Sequence, residues 1–165
     1  MNNSEIIKLI ESSNSRIFKE NVILEQMKIQ NDILFNGLSL AYNKLLTFGV
    51  KQVPISDKNG DGITWLEFQE LCEKLIKRKL TGHAARDKII ELKDKCKKDE
   101  WNFFYKRILQ KDMRCGLSEK TINNVAKKNK FENYLIPVFS CQLAQDCELH
   151  KKKLSGKKYL EVKLD

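Results

Sequence analysis

Apolar residues recur every three or four positions through most of the first 130 residues or so, the spacing of helices that bury one face. Ile6, Ile7, Leu9 and Ile10 gather on one side of a short segment that Ser4 can cap and that runs to Ser12. A second helix is expected from Ser15 to Lys28 on Ile17, Phe18, Ile23, Leu24 and Met27. Asn31 is placed to cap a third, in which Leu34, Leu38, Ala41, Tyr42 and Leu45 recur at helical spacing. Gly49, Pro54, Gly60 and Gly62 interrupt the pattern over 47–63, which reads as a loop with room for a short extended piece at 50–55. Helical spacing resumes over 64–78, 81–96, 99–110 and 118–128. There is no internal repeat and no low-complexity tract. Pro137 marks a change, so residues 1–136 are expected to form one helical domain and 137–165 the beginning of another.

The last seven residues alternate. Lys163 and Asp165 would share one face of a strand, with Val162 and Leu164 on the opposite, core-facing side. A lysine in partly desolvated surroundings with a carboxylate beside it can act as a nucleophile. An ordinary amphipathic edge strand would look the same.

Composition narrows the class. At 165 residues and 41% hydrophobic, the chain can bury one substantial core. No run approaches the roughly 20 apolar residues of a membrane span, and no basic-then-apolar signal segment opens the chain, so no membrane partner is expected. Five cysteines, an odd number without regular spacing, suit reduced thiols in a cytoplasm better than a disulfide framework. Cys141, Cys147 and His150 lack paired ligand spacing and a fourth partner, so no metal site is expected.

Asp57-Lys58-Asn59-Gly60-Asp61-Gly62 resembles the first half of a calcium loop. Phe68 stands where the bidentate glutamate must fall, with Glu67 one residue short. Thr64-Trp65-Leu66-Glu67 is a capping box, and the preceding Asp, Asn and Gly residues are turn chemistry leading into its helix.

Charge is divided unequally. Up to Glu73 there are 7 Lys/Arg against 10 Asp/Glu, a net of −3; from Lys74 onward there are 24 against 12, a net of +12. A polyanion surface would therefore be built from the later segments. Two of these have internal logic. In Lys77-Arg78-Lys79-Leu80-Thr81-Gly82-His83-Ala84-Ala85, Thr81 is a natural N-cap, and Gly82 and Ala84 leave backbone donors unobstructed, as a phosphate-binding helix start requires. A tight helix-to-helix connection would use the same small residues. In the segment from Arg107 to Ile122, Gly116 can take a left-handed turn that ends one helical segment and Ser118 caps the next. Lys111, Arg114 and Lys120 cluster around that turn.

Arg78-Lys79-Leu80-Thr81-Gly82 with Ala84-Ala85, followed by Asp112-Met113-Arg114-Cys115-Gly116-Leu117-Ser118, resembles the N-terminal DNA-binding domain of ATP-dependent DNA ligases, above all those of T-even-like bacteriophages. The likeness extends over 77–165. It implies a mainly α domain that holds nicked duplex DNA through Arg78, Lys79, Thr81, Gly82, Lys111, Arg114, Gly116, Ser118 and Lys120. The first strand elements of a nucleotidyltransferase (adenylation) domain would follow. It implies that Lys163, in Lys163-Leu164-Asp165, takes AMP from ATP with Mg in the parent enzyme. The glycine that closes the family's motif is not in this sequence. Too short a stretch follows Ile136 to form an ATP pocket, so the chain alone is expected to bind no cofactor and to be inactive. A second polypeptide carrying the remaining ligase domains is a further possible partner, and the host cytoplasm the expected location. The alternative is a stand-alone helical nucleic-acid-binding module without catalysis.

Overall fold

The computed structural model describes residues 1–138, and these are mainly helical with no β-strand among them. In chain order the helices are α1 (Asn3–Glu11), α2 (Arg16–Lys28), α3 (Asp32–Tyr42), α4 (Trp65–Ile76) and α5 (Gly82–Lys95). A short α6 (Lys98–Glu100) runs into a π-helical turn (Trp101–Tyr105) and then α7 (Lys106–Leu109); α8 (Glu119–Lys128) follows. The expected terminal strand, with Lys163, lies outside the described residues.

The helix starts follow the capping residues, with one displacement. Asn2, not Ser4, caps α1: its side chain accepts from Glu5 N at 2.9 Å while Glu5 reaches back to Asn2 N at 2.8 Å. Ser4 is buried in the first turn, its hydroxyl donating to Asn2 Oδ1. Ser15, Asn31, Thr64 and Ser118 cap α2, α3, α4 and α8 as their sequences imply. The Thr64–Glu67 capping box is closed in both directions.

Among the described residues, Trp101, Phe68 and Phe104 are the largest fully buried side chains. They join Ile6, Ile7 and Ile10 of α1, Ile23 and Met27 of α2, and Leu34 and Leu38 of α3 in one core. Trp101 satisfies its indole N–H on the Pro54 carbonyl at 2.8 Å, which ties the loop before α4 to the π turn. Two expected core positions are corrected. Ile17 is 71% exposed, on the outer side of α2, and the buried stripe there is Lys19, Ile23 and Met27 at four-residue spacing. Leu45 is 62% exposed, because α3 ends at Tyr42 and the chain turns before reaching it.

The 50–55 piece forms no strand. The calcium-like stretch has other work. Gly60 N and Gly62 N donate to the carbonyls of Cys96 and Lys95 at the end of α5, and Asn59 Oδ1 accepts from Lys98 N at 3.0 Å. Among the described residues no group of three His, Cys, Asp or Glu side chains could hold a metal.

Four helices stop in the same way. Gln30, Arg78, Lys111 and Lys130 all have positive φ, between 56° and 62°. In each case that residue and its successor donate back to two orphan carbonyls of the last turn, as Arg78 N does to Leu75 O and Lys79 N to Lys74 O. This is the Schellman closure, here made without glycine. Three of the four residues are basic, and a cation at a helix C-terminus is favoured by the dipole. Of these, Arg78 and Lys130 are exposed, whereas the Lys111 ammonium turns inward.

Candidate nucleic-acid interface

The α4–α5 turn is open. Thr81, in extended conformation before α5, makes no side-chain cap bond, which differs from its expected role. Gly82 has φ +57°, and a Cβ added there would meet nothing within 4 Å. Its glycine is thus required by backbone conformation and not by close packing. Thr81, Gly82, His83 and Ala84 are all exposed, so the first-turn N–H groups of α5 face solvent, and only Ala85 packs inward. Lys79 is exposed beside this turn. Arg78 is tied down: its guanidinium donates to Thr47 Oγ1 at 2.9 Å and lies against Gly49.

The α7–α8 turn is more densely braced. The left-handed residue that ends α7 is Lys111, not Gly116. Gly116 has φ +64°, five residues on, within the connection to α8. Beneath it Lys19, a buried lysine from α2, donates to the Cys115 carbonyl at 2.6 Å. Lys111 points inward. Its ammonium bonds the carbonyls of Leu40 and Asn43, at 2.9 and 2.7 Å, and burial pushes its pKa down. Arg107, also buried, donates to the Met113 carbonyl at 2.8 Å and pairs with Glu11. Arg114 is exposed, with φ +50°. Burial, then the charges of Arg114 and Arg107, push the Lys106 ammonium down, a sign that these cations crowd one another. Ser118 accepts from Thr121 N at 3.2 Å, and Glu119 occupies the first turn 3.7 Å from Lys44. The start of α8 is therefore capped and partly neutralised from within, whereas that of α5 is not. Lys120 is exposed.

The two turns meet on one short segment, 42–49. Tyr42 donates to Leu117 O at 3.0 Å, and burial raises its phenol pKa. Lys44 faces Glu119, Lys111 holds Asn43 O and lies 5.5 Å from the Phe48 ring, and Arg78 holds Thr47. Sequence reasoning did not single out Lys19, Lys44 or this segment. A lysine four residues before Ile23 and eight before Met27, on a buried stripe, was the available signal for Lys19. Lys163 lies outside the described residues.

No protein-family model matches the chain, and no curated protein does. Among solved structures it is similar to Pmar-Lig_Pre. (46% identity, TM-score 0.83) and to Pmar-Lig_PreS3 (47% identity, TM-score 0.83), in each case over 93% of this chain. The chain spans 35% of the length of each of those proteins. The names of both mark them as ligases. The described helices are accordingly a ligase-related domain.

Proposed function

We propose that this chain is the DNA-holding helical part of an ATP-dependent DNA ligase of the kind found in T-even-like phages, followed by the start of its adenylation domain from about residue 137. The observation that carries this reading is its identity of 46–47%, sustained over 93% of the chain, with proteins named as ligases. The net of +12 after Glu73 supports it, since positive charge attracts the phosphate backbone whatever the sequence, and so does the meeting of two Lys/Arg-bearing turns on segment 42–49. Lys79, Thr81, Gly82, Arg114 and Lys120 are all exposed, as phosphate contacts would need. Arg78, Lys111, Gly116 and Ser118 fix the geometry of the turns that present them. In the whole enzyme ATP, with Mg, supplies an AMP group that activates the 5′-phosphate of a nick, and Lys163 is the residue that would accept it.

The test is the affinity of the chain for a nicked fluorescent duplex, measured by anisotropy across a salt series. Binding to every sequence alike, with a steep loss as salt rises, is expected. Binding that is absent at low salt or indifferent to salt would overturn the reading. In the parent enzyme, radiolabel from ATP is expected on Lys163 and is lost in Lys163→Ala.

A further inference from the structure

Gly49 has no room for a side chain. Its φ is +69°, and a Cβ built there would overlap the Arg78 Nη1 and lie 3.0 Å from Cζ. The Arg78 guanidinium therefore rests against the bare backbone of Gly49, while its Nη2 donates to Thr47 Oγ1 at 2.9 Å. Phe48, between these two exposed residues, is 3% exposed, so the segment that receives the guanidinium is pinned to the core.

Arg78 is held differently from the other cations at the end of α4. Lys74 and Lys77 pair with Glu70 and Glu73, one turn earlier. Among the described residues Arg78 meets no carboxylate at ion-pair distance, and its side chain bonds to Thr47 alone. A guanidinium carries five N–H donors in a rigid fork, so one bond to a hydroxyl leaves most of them for another acceptor. The Thr47 hydroxyl accepts here and keeps its own proton to donate. Arg78, Thr47 and the adjoining Lys79 are all exposed. A fixed fork without a negative partner matches the oxygens of a phosphate, which it can engage with two parallel bonds.

Resting on the reading of the chain as a holder of duplex DNA, we propose that Thr47 and Gly49 are positioning residues that hold the Arg78 guanidinium ready for one backbone phosphate. Thr47 fixes the fork through Nη2, and Gly49 lets it lie against the chain. Freedom that Arg78 has already given up in the unbound chain is not lost again on binding. Arg78 thus steadies its own turn with one donor and offers the rest.

The test measures the affinity of the whole chain for a fluorescent nicked duplex across a salt series, with Tm for each variant. Arg78→Ala is expected to weaken binding roughly tenfold and to lower the salt slope by about 1. Thr47→Val keeps the charge and the shape but removes the acceptor. It should weaken binding about fivefold at unchanged slope and Tm, whereas Thr47→Ser should bind like wild type. Gly49→Ala should weaken binding too, and should also lower Tm because of its φ. In an Arg78→Ala background neither Thr47→Val nor Gly49→Ala should change affinity further, which separates positioning from damage to the fold. Wild-type affinity in Thr47→Val, or an equal loss with and without Arg78, overturns the positioning. The DNA-holding reading then stands if Lys79→Glu with Arg114→Glu weakens binding. It falls, and the positioning with it, if the wild-type chain fails to bind the duplex at low salt.

Discussion

The Lys19 ammonium donates to the Cys115 carbonyl at 2.6 Å from directly beneath Gly116, so a lysine of α2 and a glycine before α8 form one joint. A Cβ on Gly116 would collide with that Nζ, and φ +64° would strain it besides. Gly116→Ala should cost about 1 kcal/mol for the left-handed backbone. It should also displace a charged hydrogen bond worth about 1.5–3 kcal/mol. Lys19→Met should lose about the same hydrogen bond while keeping the stem packed. The double variant should therefore lose less than the sum of the two, as thermal or urea melts can measure. Full additivity would mean that the two positions are not joined.

The Schellman closures give a second expectation. Gln30 and Lys130 hold φ of 56° and 62° with side chains in solvent, a conformation that glycine adopts without strain. Gln30→Gly and Lys130→Gly should each raise stability, by about 0.5–1 kcal/mol. Lys111→Gly should do the reverse, because its ammonium ties the Leu40 and Asn43 carbonyls and its loss leaves them unpaired. A gain in Tm for Lys111→Gly would show that those bonds contribute little.

Legibility of the chain follows from where the determining interactions are local. The caps at Ser15, Asn31, Thr64 and Ser118 depend on contacts three residues apart and could be assigned from spacing alone. Ser4 was displaced by Asn2 because two residues in one turn could both cap, and Glu5 completes a box only with Asn2. Leu45 continued the helical spacing of α3, but Asn43 is already extended, and Lys111, 68 residues away, holds its carbonyl. The inward roles of Lys111 and Arg107 were hidden for the same reason: charge was legible, but its burial depends on distant partners. Gly116 was legible as a left-handed turn, whereas the α7 terminus at Lys111 was not, since lysine rarely adopts that conformation.

Part of the acid limb of stability can be traced to the α4 cap and to ion pairs within α5. The Thr64 backbone N–H, then its hydroxyl, hold the Glu67 carboxyl below its ordinary 4.5. Lys88, then Lys95, bring Glu91 down to about 2. Groups lowered on folding contribute stability that is present above their unfolded pKa and is lost as pH falls through the folded one. Wild type should therefore lose its advantage over Glu67→Gln as pH drops below about 4.5, where the unfolded carboxyl begins to take up protons. A stability gap that persists unchanged to the lowest pH at which the chain remains folded would assign the effect to packing.

Thiol chemistry should separate the buried cysteines from denatured ones. Burial raises the Cys96 thiol to about 12 and pushes Cys72 and Cys115 up as well, and all three are covered. Iodoacetamide at neutral pH should leave these three unmodified in the folded chain and label them all after unfolding, as peptide mass mapping would record. Rapid native labelling of Cys115 would show that the 110–118 connection opens readily.

Charge reversal would distinguish cations that meet phosphate, if the proposed DNA contact holds, from cations that hold the fold. Lys79, Arg114 and Lys120 are exposed, and among the described residues Arg114 alone of the three has an ion-pair partner, Asp112 at 3.5 Å. Exposed pairs of that kind contribute about 0–1 kcal/mol, so reversing these residues should leave Tm nearly unchanged. Each lost phosphate contact should lower the slope of log affinity against log salt by about 1, equally for all sequences. Lys111→Glu should behave oppositely. A carboxylate facing the Leu40 and Asn43 carbonyls is repelled, so melting falls first and DNA binding falls only with it. Plotting Tm against salt slope for the four variants should place Lys79→Glu, Arg114→Glu and Lys120→Glu along one axis and Lys111→Glu along the other. If Lys111→Glu lowers the slope at unchanged Tm, its ammonium meets phosphate directly and the inward hydrogen bonds are not what it contributes.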